Sequence, residues 1–355
     1  MTKVEVSAIS QSLTDWFAKS ARALPWRDDP TPYRVWLSEI MLQQTTVSAC
    51  KAFFERFVKA LPDIQALASA SEGDVLALWE GLGYYTRARN LHKSAIIIAA
   101  SGGELPDEPA ELIKLPGIGD YTAGAIAAIA FNKPAAMVDA NIRRVLGRVL
   151  AIDPGAPEAE ATIRDVSRGL SESGIPRVIN QAIMEVGALV CKPRVPDCMN
   201  CPLRGQCKAC NGQQFGYFGS QSQRTLKTYV DEVCVLVKAG DGWLVSQSSD
   251  GRWKGMWEFP RSKVEESPVE TSRALLKQRF GIEPSHLWEC GLLKHVVTRY
   301  SITLHVVRCE LSQPTVLRAG ELQLVLPEQL HLLAMPSPMR RIANAYIRDN
   351  ERFGL

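Results

Sequence analysis

Glu39 is the first residue whose surroundings point to chemistry. It lies within VWLSEIML, and on a helix the residues one turn away include Val35, Trp36 and Leu42, which are apolar. A glutamate on an exposed helix face is the ordinary alternative, but it would not have such neighbours. Burial raises the pKa of a carboxyl group, so we expect Glu39 to hold its proton and to act as a general acid.

Asp139 is the second candidate carboxyl group. It precedes a helix that we expect to begin near Ile142, and the helix dipole favours a negative charge at that end. A purely structural N-cap explains this position equally well. Two carboxyl groups held in opposite protonation states are what hydrolysis of a glycosidic bond requires.

Four cysteines form a compact cluster with the spacing C-x6-C-x2-C-x5-C. They are Cys191, Cys198, Cys201 and Cys207, and Cys210 follows closely as an additional thiol. Zinc sites usually contain two C-x2-C pairs, whereas only one such pair belongs to these four. A single loop of four thiolates favours a cubane iron–sulfur cluster.

The stretch LPGIGDYTAGAI, residues 115–126, predicts a tight turn leading into a helix. Gly117 and Gly119 permit the turn, and the Ala- and Ile-rich run that follows predicts a buried helix. The N–H groups at the start of such a helix can bind a phosphate. An ordinary turn between two helices is equally compatible with these residues alone.

The elements that must position these residues differ between the two halves of the chain. The first half has helical spacing throughout, including one long helix predicted over 33–61. A polar linker is expected at 211–227, and strands with two helices follow it. The sequence therefore predicts a multidomain protein with an all-α domain at 1–210 and an α+β domain at 228–355.

Composition limits the classes of function. The 355 residues are 46% hydrophobic and 22% charged, and the net charge of +3 does not by itself indicate nucleic acid binding. No signal-peptide or membrane-spanning pattern is apparent, so we expect a cytoplasmic monomer with no membrane partner. Nine cysteines in such a compartment are expected to be reduced or bound to metal.

Several long motifs together resemble the adenine DNA glycosylase (MutY) family of the helix-hairpin-helix, endonuclease III superfamily. They include LPWR (24–27), PYRVWLSEIMLQQTTV (32–47), LPGIGDYTAGAIAAIAF (115–131), VDANIRRVLGR (138–148) and the cysteine spacing. The resemblance implies an all-α helix-hairpin-helix glycosylase domain with a 4Fe-4S cluster loop at 191–207, followed by an α+β Nudix-like domain. It also implies double-stranded DNA with adenine opposite 8-oxoguanine or guanine as the substrate, with the adenine flipped out of the helix.

The resemblance also implies roles for individual residues. Glu39 would protonate adenine and then activate water, Asp139 would stabilise the oxocarbenium ion, and Asn141 would support Asp139. Gln44 and Tyr84 would enter the base stack, although Tyr84 also fits a core aromatic. The turn at Gly117 and Gly119 would hold the DNA backbone. The residues that would line the base pocket are Arg22, Leu24, Trp26, Arg27 and Glu185. The residues that would bind the cluster are Cys191, Cys198, Cys201 and Cys207. Arginines expected to face phosphates are Arg87, Arg89, Arg143, Arg144 and Arg148, although Arg143 and Arg144 also fit a solvated helix face.

Tyr121 decides between two types of glycosylase. Relatives with lyase activity carry a lysine two residues after the second glycine of the turn, and this lysine forms a Schiff base. Tyr121 occupies that position here and cannot do so. The sequence therefore predicts a monofunctional enzyme, and the alternative is a bifunctional pyrimidine glycosylase/AP lyase of the endonuclease III type.

The C-terminal half departs from its relatives at two places. Its predicted Nudix helix has Leu275, Gln278 and Arg279 where a pyrophosphatase needs acidic metal ligands, so we expect a binding module. Adenine DNA glycosylases usually carry a Phe-Ser/Thr-His turn that recognises 8-oxoguanine. Here the corresponding segment has Val297, Thr298 and Arg299, so we expect Thr298 and Arg299 to contact the lesion with a reduced preference over guanine.

Overall fold

The computed structural model describes residues 2–153, 156–212, 226–249, 251–297, 299–311 and 322–348. The chain divides into two compact units, one formed by 1–70 with 89–222 and the other by 71–88 with 223–355. Residues 71–88 therefore belong with the C-terminal half, although they lie within the helical half of the sequence. Most of the linker predicted at 211–227 lies outside the described residues.

Helices account for nearly all regular structure in the described part of the first unit. None of the described helices has both the length and the apolar character needed to cross a membrane. In chain order the helices of both units are α1 Lys3–Ser20, α2 Pro25–Asp28, α3 Pro32–Leu42, α4 Val47–Ala60, α5 Ile64–Ser69, α6 Glu72–Leu78, α7 Thr86–Ala100, α8 Pro109–Leu112, α9 Asp120–Ile129, α10 Ala140–Leu150, α11 Ala159–Glu172, α12 Pro176–Leu189, α13 Lys208–Asn211, α14 Pro268–Phe280 and α15 Ser337–Ala343.

The single helix predicted over 33–61 is wrong, because the structure has two helices there, α3 and α4. The chain turns between them at Gln44, whose φ of 57° lies in the left-handed region. The Thr46 side chain then accepts a hydrogen bond from the N–H of Ala49 and so caps α4. Helical periodicity continues through this break, which is why the sequence pattern did not reveal it.

Helix α9 is deeply buried in the first unit, since every residue from Thr122 to Ile129 is buried. Small side chains let neighbouring backbone approach closely. A Cβ atom added at Gly124 would lie 2.3 Å from the carbonyl oxygen of Ala136. The low charge and high alanine content of this stretch therefore reflect packing, and the packing fixes the direction in which α9 begins.

The second unit is built around one mixed sheet of seven strands among its described residues. The strands are β1 Thr228–Ala239, β2 Gly242–Gln247, β3 Trp257–Glu258, β4 Arg261–Lys263, β5 Trp288–Val297, β6 Tyr300–Leu311 and β7 Gln323–Val325. The main order is β3-β2-β1-β6-β5, with β1 and β6 parallel, while β4 pairs with β1 and β7 with β2. Leu276 and Phe280 of α14 pack on Val235 and Val237 of β1, so an apolar core forms between helix and sheet.

Candidate active site

A cavity of about 530 Å³ in the first unit brings the predicted chemical residues together. This volume lies within the usual range for small-molecule and cofactor sites, about 300–1,000 Å³. Its walls come from α2, α3, α9, α10 and α12 and from the turn after α3. Of the residues predicted from the sequence, the cavity is lined by Arg22, Leu24, Trp26, Arg27, Glu39, Gln44, Tyr121, Asp139, Asn141 and Glu185.

Glu39 lies near the end of α3 and is only 5% exposed. Burial raises the pKa of this carboxyl group to about 7, against the opposing effect of a hydrogen bond from Tyr121. The nearby charge of Asp139 raises it further, and that of Arg27 lowers it. The prediction that Glu39 is buried is confirmed, and a substantial fraction of this carboxyl group carries its proton at neutral pH.

Tyr121 lies in the first turn of α9 and reaches into the same cavity. Its hydroxyl group donates a hydrogen bond to Oε2 of Glu39 over 3.1 Å and lies 3.6 Å from the sulfur of Met184. Burial, followed by the negative charge of Glu39, raises the pKa of this phenol well above its ordinary value. The phenol therefore stays neutral and orients the Glu39 carboxyl group. None of the described residues lining the cavity is a lysine.

Asp139 is the N-cap of α10. Its Oδ1 accepts a hydrogen bond from the N–H of Ile142 at 2.7 Å, and its Oδ2 accepts one from the Asn141 amide at 3.0 Å. Asn141 is held in turn by Arg144, which donates to its Oδ1 at 2.8 Å. The N-cap interpretation is thus confirmed, and the same carboxylate also lines the cavity that contains Glu39.

Arg144 and Arg148 do not face phosphates, so this part of the prediction is wrong. They are 4% and 2% exposed, respectively. Arg144 donates hydrogen bonds to the carbonyl groups of Gly187 and Cys191, while Arg148 donates to those of Lys192 and Pro193. Two of the three arginines of α10 therefore fix the start of the cysteine loop, while the third, Arg143, pairs with Glu160. A basic helix face and a buried arginine cluster look alike in sequence.

Glu185 on α12 anchors one wall of the cavity. Arg22 forms a two-pronged pair with it, with N–O distances of 2.7 and 2.8 Å, and Arg27 adds a third contact at 3.0 Å. Burial disfavours ionisation of this carboxyl group, but the hydrogen bonds from Arg22 and Arg27 outweigh it and lower its pKa to about 2. Glu39 and Glu185 therefore line one cavity with widely separated pKa values, about 7 and about 2.

The structure also adds residues that the sequence interpretation missed. Gln181 accepts a hydrogen bond from Arg27 at 2.8 Å and lies one helical turn before Glu185, a spacing that was visible in the sequence.

The predicted lining residues Leu24 and Trp26 are buried, and Trp26 packs edge-on against Phe54 with ring centroids 5.4 Å apart. Further lining residues are Val35, Ser38, Leu42, Gln43, Thr45, Val47, Ile129, Ala140, Met184 and Ala188.

The two residues predicted to enter the base stack share a rare backbone conformation. Gln44 and Tyr84 have φ values of 57° and 50°, and only two other described non-glycine residues have positive φ. Such conformations cost free energy and cluster at functional sites. Gln44 lines the cavity of the first unit, whereas Tyr84 belongs to the second unit and is 42% exposed.

The glycine turn has the backbone that the sequence predicted. Gly117 adopts a φ of 79°, and the N-cap of α9 is Gly119, which has no side chain to cap the first N–H groups. Helix α7 holds the turn in place, since the hydroxyl group of its Ser94 donates a hydrogen bond to the carbonyl of Pro116 at 2.9 Å. Open N–H groups at the start of a helix suit a phosphate.

The four predicted cysteine ligands line one cavity, together with Cys210 and Arg148. Within the described part of the chain, no three histidine, cysteine, aspartate or glutamate side chains form a group that could hold a metal ion. The four thiols nevertheless surround one cavity. Burial, together with the charges of Cys191 and Cys207, raises the pKa of Cys201 to about 12. A set of four adjacent sulfur donors suits an iron–sulfur cluster.

The segment predicted to read 8-oxoguanine lies only partly within the described residues. Thr298 lies outside them. Arg299 is exposed, donates to the Tyr300 hydroxyl group at 3.1 Å and lies 5.2 Å from the centre of that ring.

Two buried carboxyl groups of the second unit, Glu232 and Glu258, form ion pairs with arginines. Arg252 and Arg261 pair with Glu232, and Arg261 also pairs with Glu258, so arginine compensates the charge of both.

Two family models match this chain. Residues 37–170 match the HhH-GPD superfamily of base excision DNA repair proteins, and residues 232–345 match the NUDIX domain. The solved structure of a thermostable thymine-DNA glycosylase superposes with a TM-score of 0.55 at 25% identity, covering 59% of this chain and 98% of that one. The fold and site thus define a helical base-excision repair protein that also carries a NUDIX domain.

The curated relatives narrow this class further. An adenine DNA glycosylase of Mus musculus is 33% identical over 370 residues, covering 87% of this chain and 72% of the relative. Another from Buchnera aphidicola (subsp. Baizongia pistaciae) is 40% identical over 257 residues, covering 71% of this chain and 73% of the relative. The chain belongs to the adenine DNA glycosylase family.

Proposed function

We propose that this protein hydrolyses the N-glycosidic bond of adenine paired with 8-oxoguanine or guanine in double-stranded DNA, without cutting the strand. The chain is a base-excision repair enzyme of the adenine DNA glycosylase family. The observation that carries the proposal is the buried Glu39 carboxyl group, which accepts a hydrogen bond from the Tyr121 hydroxyl group at 3.1 Å. Asp139 lines the same cavity.

In the proposed reaction, the bond between C1′ and the base nitrogen breaks and its electron pair leaves with adenine. Glu39 donates its proton to the departing base, so the base leaves as a neutral molecule. The negative charge of Asp139 stabilises the oxocarbenium ion that remains on the sugar. Water then adds to C1′, and its proton passes to the Glu39 carboxylate, which restores the starting state.

Tyr121 and Glu185 support this reaction without exchanging protons. Tyr121 keeps the Glu39 carboxyl group in one orientation, and its neutral phenol cannot form a Schiff base. Glu185 keeps Arg22 and Arg27 at the cavity wall, where their N–H groups can bind an extruded base. The absence of lysine among the described lining residues disfavours the bifunctional lyase alternative.

We also propose that Cys191, Cys198, Cys201 and Cys207 hold a 4Fe-4S cluster. Four thiols around one cavity, in a loop whose start is fixed by Arg144 and Arg148, support this assignment. The bound cluster would keep the cysteine loop in a fixed shape, and the loop carries the basic residues Lys192, Arg194 and Arg204. These charges are suited to DNA phosphates.

Thr298 and Arg299 are proposed to contact the base opposite adenine. The exposed guanidinium group of Arg299 supports this proposal, since it can donate to a carbonyl oxygen or to a phosphate. The family turn's aromatic residue is replaced by Val297, so we propose that 8-oxoguanine is preferred over guanine by a reduced margin.

Two assays on duplexes with adenine opposite 8-oxoguanine or guanine test the function. Chromatography of the products should detect free adenine, and borohydride treatment should trap no covalent protein–DNA adduct. Release of a pyrimidine, or a trapped adduct, would support the endonuclease III-type alternative instead.

A further inference from the structure

A turn at residues 79–85 links α6 to α7 and carries the exposed Tyr84. Its backbone is unusual, because Gly81, Gly83 and Tyr84 have φ values of 102°, 71° and 50°. Glycine adopts such φ values readily, but Tyr84 does so at a cost in free energy, and its surroundings must offset that cost. The conformation of Tyr84 therefore depends on the contacts that this turn makes.

The α7 side of the turn is held by Arg87. Its guanidinium group donates to the carbonyl groups of Leu82 and Gly83 at 3.3 and 3.2 Å. It also lies 5.4 Å from the ring centres of both Trp79 and Tyr84. Trp79 adds a hydrogen bond from its indole N–H to the carbonyl of Gly83 at 3.1 Å.

The α6 side of the turn is held by a residue 260 positions away in the sequence. Arg340 of α15 forms a two-pronged pair with Glu80, with N–O distances of 2.7 and 2.9 Å. The same guanidinium group donates to the carbonyl groups of Leu330 and Leu333, each at 2.6 Å. Arg340 thus ties Glu80 both to α15 and to the segment at 330–333.

The ion pair between Arg340 and Glu80 is largely buried and has a fixed geometry. The side chains of Arg340 and Glu80 are only 19% and 18% exposed, and both prongs of the guanidinium group are used. Planar, two-pronged arginine–carboxylate pairs fix geometry as well as adding energy. Lysine cannot reproduce this arrangement, since it carries a single charged nitrogen.

We propose that Arg340 is a positioning residue for Tyr84, which it sets in place through Glu80. The C-terminal half of the chain thereby controls the aromatic side chain that enters the DNA stack. This inference rests on the proposed function, because Tyr84 matters only if the protein opens a base pair. Because its guanidinium group is already bonded to Glu80, Leu330 and Leu333, Arg340 is proposed to act through Glu80 and not on DNA.

The test uses the 355-residue protein and four variants. Arg340→Met removes the pair, Tyr84→Ala removes the aromatic ring, and a double variant combines both changes. Arg341→Met is the matched control, since Arg341 is the next residue of α15, is exposed and carries the same charge. Circular dichroism and thermal midpoints check that each variant is folded.

Two measurements report on Tyr84. One is the Kd for a duplex with uncleavable adenine opposite 8-oxoguanine, and the other is the fluorescence of 2-aminopurine placed beside the 8-oxoguanine. We expect Arg340→Met to weaken binding about tenfold, as loss of one base–aromatic stack does. It should also abolish the fluorescence change, whereas Arg341→Met should leave that change intact.

The double variant tests whether the effect of Arg340 on DNA binding depends on Tyr84. If Arg340 acts through Tyr84, then adding Arg340→Met to Tyr84→Ala weakens binding no further. Additive losses, or an unchanged fluorescence response in folded Arg340→Met, would overturn the proposal. A wild-type protein that releases no adenine would instead refute the proposed function, so the two failures are distinguishable.

Discussion

Replacing Glu39 by glutamine should stabilise the first unit while it abolishes catalysis. Burial raises the pKa of Glu39 from its ordinary value of 4.5 to about 7. Below about pH 4.5 the carboxyl group is protonated in both the folded and the unfolded chain, so it imposes no penalty. As the pH rises from about 4.5 to about 7, ionisation favours the unfolded chain, and the folded state loses stability.

The size of this penalty follows from the displaced pKa. A difference of about 2.5 pH units corresponds to about 3 kcal/mol above pH 7. Glutamine has no charge to bury, and its amide oxygen can still accept the hydrogen bond from Tyr121. We therefore expect Glu39→Gln to be more stable than the wild type by about 3 kcal/mol near pH 8, and to differ little near pH 4.5.

Hydrogen exchange of the α3 amides is the appropriate assay, because it reports the opening free energy of this unit alone. Wild type and variant are compared at the same pH, so intrinsic exchange rates cancel. Glu55→Gln on the exposed face of α4 is the control and should have no effect at either pH. The reasoning is refuted if Glu39→Gln destabilises α3 near pH 8, or if its effect does not depend on pH.

Four further predictions concern the site. Asp139→Asn should lower the rate of base release about 100- to 1,000-fold with duplex affinity retained, measured by single-turnover kinetics. The wild-type single-turnover rate should fall as the pH rises through about 7, since Glu39 then loses the proton it donates, and a flat profile across this range would contradict the acid role. Tyr121→Lys should yield a borohydride-trapped adduct, because an amine would then lie in the cavity. Cys198→Ser should lose bound iron and sulfide, whereas Cys210→Ser should retain both; zinc in the purified protein would contradict the cluster assignment.

Local patterns were sufficient to predict much of the site. Apolar neighbours one turn from Glu39 predicted its burial, and the helix start after Asp139 predicted its capping role. Both properties depend on a few residues close in sequence, so helical spacing determines them. The same applies to Gly117, whose left-handed backbone is a local requirement of its turn.

Long-range packing was not predictable in the same way. The left-handed break at Gln44 interrupts a helical pattern that shows no glycine or proline. Arg144 and Arg148 look like surface charges until the carbonyl groups of a loop more than forty residues away are placed beside them. The grouping of residues 71–88 with the C-terminal half depends on pairs such as Glu80 with Arg340. Single-sequence spacing contains no signal for such partners.

The most direct test of the central claim is the amount of free adenine released in a single turnover from four otherwise identical duplexes. Adenine is placed opposite 8-oxoguanine, guanine, cytosine or thymine, and Glu39→Gln serves as the inactive control. We predict release opposite 8-oxoguanine and guanine, far slower release opposite cytosine and thymine, and none from the variant. Equal release from all four duplexes, or normal turnover by Glu39→Gln, would contradict the account.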